Sequence, residues 1–217
     1  MLVNISVMIK KILSIIFRIF SFLYPYKSNE RLSGYKNIFY TLWIRNFLGR
    51  VGEHSIICKP CDLQGGGQNN VSIGDYTTIG CHSILGCWTK YGKQEFPNVS
   101  ITIGNHCSIG EHNHITACNK ITIGDGLLTG RYVLISDNSH GSLCEKESMI
   151  EPLKRDLKSK GEVVIGNNVW LGDKVTILAG VHIGNNVIVA ANAVVTKNVP
   201  DNCVVAGVPA KIIKKLE

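Results

Sequence analysis

The residues best suited to chemistry sit in one short run, Asp137-Asn138-Ser139-His140-Gly141. An imidazole titrates near ~6.5, so at neutral pH His140 offers a nitrogen able to take a proton from an attacking hydroxyl. Asp137, three residues earlier, either orients that ring or is a turn residue. His106, His112, His114 and His182 fall at positions that read as structural. Cys58-Lys59-Pro60-Cys61 has the spacing of half a zinc knuckle, but no second pair lies near it, so no metal is expected.

The element that must position His140 is visible as a period of six. From residue 165 to 200 the first place of each hexad is Ile165, Leu171, Ile177, Ile183, Val189 and Val195, and the fifth is Val169, Val175, Val181, Val187, Ala193 and Val199. Apolar residues two apart give the alternation of a short strand. Glycine at the second place (Gly166, Gly172, Gly184) reads as the bend that follows. The phase extends back through Val51, Ile57, Leu63; Ile73, Ile79, Leu85; Ile103, Ile109, Ile115; and Ile123, Thr129, Ile135.

Extra residues occur only between groups of three hexads, at 69–72, 91–102, 121–122 and 141–164. Three hexads therefore make one turn of a triangular prism, and every insertion leaves at the same corner. The expected fold is all-β, a parallel β-helix of about six triangular coils that buries its leading residues, each worth roughly 1.5–3 kcal/mol. His140 ends its hexad at the rim of a coil, under the longest insertion. The 91–102 insertion, Tyr91-Gly-Lys-Gln-Glu-Phe-Pro, with Trp88 just before it, offers aromatic faces that suit either a sugar pocket or a contact between copies.

Charge divides the chain. Residues 1–50 hold eight basic side chains against the single acid Glu30, so the whole net charge of +7 lies there and the remainder balances. A neutral body argues against a nucleic-acid surface. We therefore expect a basic, apolar helical arm over residues 1–50 and the β-helix over 51–217. Arg18 breaks the apolar run of the arm, which is too short to span a bilayer, and no secretory cleavage site follows it. Residues 1–27 either lie on an anionic membrane or pack against protein. The eight scattered cysteines fit a reducing cytoplasm.

Val164-Ile-Gly-Asn-Asn-Val-Trp170-Leu-Gly-Asp173, Ala190-Ala-Asn-Ala-Val-Val-Thr196-Lys197 and Ala206-Gly-Val-Pro-Ala-Lys211 resemble the C-terminal half of hexapeptide-repeat acetyltransferases. The likeness is to the galactoside and maltose acetyltransferase branch, and Ile135-Ser-Asp-Asn-Ser-His140-Gly resembles the polysaccharide O-acetyltransferases. It covers about residues 70 to 215. The resemblance implies a left-handed helix, a short C-terminal tail or helix, a homotrimer, and acetyl-CoA as co-substrate with no metal. It implies that His140 is the general base for attack by a sugar hydroxyl in lipopolysaccharide or capsule synthesis. Asn113 matches an acceptor-binding asparagine, with an internal coil asparagine as the alternative, and Trp170 would pack beside the site. Backbone near Asp173 and Ala191 would hold the pantetheine, and Thr196, Lys197, Lys211 and Lys214 would face the CoA phosphates. The localisation implied is cytoplasmic, at the inner face of the membrane if the arm binds lipid.

Three rivals remain at this level: transfer to an antibiotic, serine or nucleotide-sugar amine; a carbonic-anhydrase-like zinc enzyme; and an inactive scaffold. The zinc enzyme needs two metal-binding histidines five residues apart, whereas His106 and His112 stand six apart.

Overall fold

The computed structural model describes residues 2–142 and 144–216; Leu143, inside the 141–164 insertion, and both terminal residues lie outside the described residues. Two compact units are present, Met1–Phe39 and Tyr40–Glu217. The first is helical, with α1 at Leu2–Leu23 followed by α2, Tyr26–Ile44, which runs on into the second. Pro25 separates them, because the residue before a proline is pushed out of helical geometry. Among the described residues no helix is long and apolar enough to cross a membrane.

The second unit is a left-handed parallel β-helix whose strands of two to five residues stack into three faces. On the first face Val51, Ile73, Ile103, Ile123, Ile165 and Ile183 align in register. The third face aligns Leu63, Leu85, Ile115, Ile135, Ile177 and Val195. All these are buried except Leu63, which packs partly buried against the core. Six coils are thus complete, and a partial seventh follows, with Val199 bridging to Ile183 and Cys203–Ala206 pairing with Ile188–Val189. The C-terminal tail is a strand, Lys211–Lys215, antiparallel to Cys203–Ala206, rather than a helix. Its β-branched Ile212 and Ile213 suit that geometry.

An open coil end exposes unpaired backbone groups, and the chain supplies partners for them. The Thr41 hydroxyl donates to the Ile57 carbonyl and accepts from the Ile57 N–H; Tyr40 does the same for Cys61. Ile44 and Leu48 close the core beneath them.

The glycines at the second place serve stacking rather than the bend. Gly104 does not adopt a left-handed backbone; that region is occupied at the fourth place by residues such as His106, Asn168 and Asn186, with φ of 54–55°. A Cβ on Gly104 would lie 2.6 Å from the Gly124 carbonyl carbon and oxygen in the next coil. Gly104→Ala should therefore cost about 1–3 kcal/mol of stability. Gly34→Ala, in α2 with open space around it, should gain up to ~1 kcal/mol. Urea unfolding of the two variants checks the contrast, and equal midpoints would contradict it.

Candidate active site

His140 stands where the fourth coil gives way to the long insertion. The strand Leu134–Ser136 ends the third face, and Ser139–His140 then leaves the prism to pair antiparallel with Leu157–Lys158. His140 faces Leu157 in register, and the Gly141 N–H donates to the Asp156 carbonyl at 2.8 Å. The imidazole is exposed yet carried on a hydrogen-bonded hairpin.

The 91–102 insertion meets this hairpin. Gln94 Oε1 accepts from the Leu157 N–H at 2.8 Å and its Nε2 donates to the Leu157 carbonyl at 3.3 Å. Tyr91 places its hydroxyl 3.4 Å from His140 Nδ1, with the rings edge-on at 5.3 Å, and donates to the Leu153 carbonyl at 3.1 Å. Trp88 is fixed by donation from its indole to Thr116 Oγ1 at 3.2 Å.

Together these groups enclose a cleft of about 290 Å³ lined by Gln64, Trp88, Tyr91, His114, Thr116, Asn138, His140, Leu153 and Leu157. Among the described residues no carboxylate, lysine or arginine lines it. His114 reaches the cleft from the third face, and burial lowers its pKa below the ordinary 6.5. It therefore presents a neutral ring at pH 7, with one donor and one acceptor. A larger cavity of about 650 Å³ lies by Tyr40, Trp43 and Asp62, but it contains neither a histidine nor a cation. The smaller cleft is the one that His140 lines.

Two expected site residues are elsewhere. Asp137 is fully buried and points back into the prism, where its oxygens accept from the Cys118 and Asn119 N–H groups at 2.8 and 2.9 Å. It does not orient His140; it holds the preceding coil's corner. Burial first, and the Asp137 charge second, push the thiols of Cys87 and Cys118 up to about 11 and about 12. Asn113 is inside the coil as well, the internal asparagine of the two readings. Its amide donates to Thr129 Oγ1 and the Gly130 carbonyl and accepts from the Val133 N–H.

The remaining expected residues are on the surface, apart from the cleft. Trp170 is half exposed on the second face. Asp173 and Ala191 occupy the corner between second and third faces, where the Asp173 carboxylate accepts from the Arg131 N–H at 2.7 Å. Thr196 and Lys197 follow the third face, at the corner from which the insertions leave, and Lys211 and Lys214 are exposed on the tail strand. No ion pair among the described residues involves these lysines. Nor do the described residues contain a group of three or more His, Cys, Asp or Glu able to hold a metal ion. The cleft residues that sequence reasoning did not assign are Gln64, His114, Thr116, Asn138, Leu153 and Leu157. His114 carried a signal: like His140, it fills the sixth, outward place of its hexad.

Asp137→Ala should unfold at lower urea by ~1–3 kcal/mol, the cost of stranding buried donors, without moving the pH profile of activity. The lowered His114 pKa means that below about 6.5 the unfolded ring takes a proton the folded ring resists. Stability should therefore fall as pH drops from about 6.5 toward the folded-state value. His114→Gln should flatten that part of the urea-midpoint profile, and an unchanged slope would contradict the assignment.

The family model for bacterial transferase hexapeptides (six repeats) matches residues 162–197. The chain is 38% identical over 164 residues to the WbbJ protein of Escherichia coli (strain K12), named for lipopolysaccharide biosynthesis O-acetyl transfer; the match covers 74% of this chain and 78% of that protein. It is 34% identical over 131 residues to the Escherichia coli galactoside O-acetyltransferase, covering 55% of this chain and 59% of that one. A solved hexapeptide-repeat acetyltransferase from Vibrio cholerae superposes with a TM-score of 0.58 at 25% identity, over 83% of this chain and 81% of that structure. With the six coils and the histidine-bearing corner described above, these likenesses make the chain a member of the hexapeptide-repeat transferase family, an acetyltransferase that takes its acyl group from acetyl-CoA.

Proposed function

We propose that the protein transfers acetyl from acetyl-CoA to a hydroxyl of a neutral sugar, with His140 as general base, in the synthesis of a surface polysaccharide. The observation that carries this reading is the cleft itself: a histidine over an uncharged pocket walled by Trp88 and Tyr91 and furnished with neutral donors and acceptors. Aromatic faces suit the C–H faces of a sugar, and neutral polar groups suit its hydroxyls. An ammonium acceptor, as on a nucleotide-sugar amine, would call for a carboxylate, and none of the described residues lining the cleft supplies one. The WbbJ likeness supports a lipopolysaccharide or related glycan as the acceptor class.

Tyr91 explains how the ring is readied. Its one hydroxyl proton goes to the Leu153 carbonyl, so only its lone pairs remain for His140 Nδ1. Nδ1 then carries the proton, and Nε2 is the free base. As the acceptor oxygen attacks the thioester carbon, Nε2 takes the hydroxyl proton, the C–S bond breaks, and the imidazolium returns that proton to the CoA sulfur. No acyl-enzyme is required.

The donor-site candidates Asp173 and Ala191 lie one prism face away from the corner that carries His140. A second copy presenting its corner to the cleft of the first satisfies both sets at once, which favours a homotrimer with sites between copies. Thr196, Lys197, Lys211 and Lys214 are the groups we assign to the CoA phosphates, lysine serving as a point charge. The role assigned to Trp170 is a side wall of the shared site.

Purified full-length protein should release CoA from acetyl-CoA only when a suitable sugar is added, and His140→Ala should lower that rate by about two or more orders of magnitude. Parent-like turnover in His140→Ala would remove the histidine from the mechanism. Tyr91→Phe should lower kcat about ten- to a hundredfold, the scale of losing a group that fixes a ring's tautomer, with KM for acetyl-CoA unchanged. A loss confined to KM would instead make Tyr91 a binding residue.

A further inference from the structure

Residues 51–217 account for none of the chain's net charge, which lies in residues 1–50. Helix α1 displays three of those eight basic side chains. At about 100° per residue, residues 6–23 divide into two arcs. One, roughly 160° wide, is apolar throughout, with Met8, Ile9, Ile12, Ile16, Ile19 and Phe20 along it. The other takes every polar residue of this stretch, including Lys10, Lys11 and Arg18, with only Val7, Phe17 and Phe22 among them. Within this helix the apolar arc is exposed among the described residues: Met8 is 58%, Ile12 50% and Ile16 53% exposed.

We propose that α1 is a membrane-surface helix that lays this arc into the headgroup boundary of an anionic bilayer. Three features select a lipid surface over a second copy of the helix. The apolar arc is wider than the narrow seam of a coiled coil. The first acid in the chain is Glu30, so α1 has no carboxylate to offset the lysines and arginine that a bundle of copies would bring together. Lys10, Lys11 and Arg18 stand on the arc opposite the apolar one, where their long stems reach the headgroup phosphates. No described helix can cross the bilayer, so the contact is peripheral. The inference goes beyond acetyl transfer and does not depend on the acceptor.

The test is co-sedimentation of the full chain with phosphatidylcholine vesicles, with and without phosphatidylglycerol. Binding should require the anionic lipid and weaken in high salt. Each cation near such a surface strengthens binding about fivefold, so K10E/K11E/R18E should lower partitioning more than a hundredfold. I12S/I16S should release the protein as well. Both variants should keep the parent's oligomeric mass and, on a soluble acceptor, its turnover. Equal binding to both vesicle types, no binding to either, or a change of oligomeric mass in the α1 variants would overturn the proposal, the last by assigning the arc to a second copy. Loss of acetyl transfer in the parent would sink the enzymatic reading alone and leave the vesicle result standing.

Discussion

The structure depends on how backbone N–H groups are satisfied at the corners of the prism, where no strand continues. The third place of the hexad solves this with a short polar side chain that accepts from the coil before. Asn105 accepts from Asp75, Asp125 from Asn105, Asn167 from Asp125, Asn185 from Asn167 and Asp201 from Asn185, all at 2.7–2.8 Å. The ladder locks each coil to the next in one register, and that register keeps the leading Ile, Leu and Val columns inside. Stacked His and Tyr rings continue the theme at the fourth place: His82 lies 4.7 Å from His112, which lies 4.8 Å from Tyr132. Asp137 belongs to the same device, which is why its carboxylate serves the coil and not the histidine.

Rigid coils let two long insertions build a site without a core of their own. Each is anchored at both ends to the same corner, and Gln94 ties them together through the backbone of Leu157, the residue opposite His140. The ring is thereby positioned from two directions, by its hairpin and by Tyr91. A groove assembled in this way varies its lining by loop sequence alone while the scaffold stays fixed.

Much of this was legible because a six-residue period repeated eighteen times leaves little freedom. The phase, the grouping into threes, the common corner of the insertions and the position of His140 all follow from it. Handedness did not follow from spacing and rested on resemblance. For Asn113 and Asp137 two readings stood open, although the pattern held the signal that separates them. The fifth place points inward, so Asn113 had to find a buried partner, and Thr129, the polar residue at a leading place, is that partner. The third place belongs to the corner ladder, which accounts for Asp137 and for the Asp173 carboxylate. The contacts of Tyr91 and Gln94 were not legible, since they join residues about fifty to sixty apart across two irregular loops.

The most direct measurement is a crystal structure of the protein with CoA bound. The expected result places the CoA sulfur at the mouth of the cleft, within roughly 4 Å of His140 Nε2 once the acetyl position is allowed for. The pantetheine should run along the Asp173 and Ala191 corner of a neighbouring copy. A CoA thiol seated in the larger cavity beside Tyr40 and Trp43, or held entirely by one copy away from His140, would contradict the account.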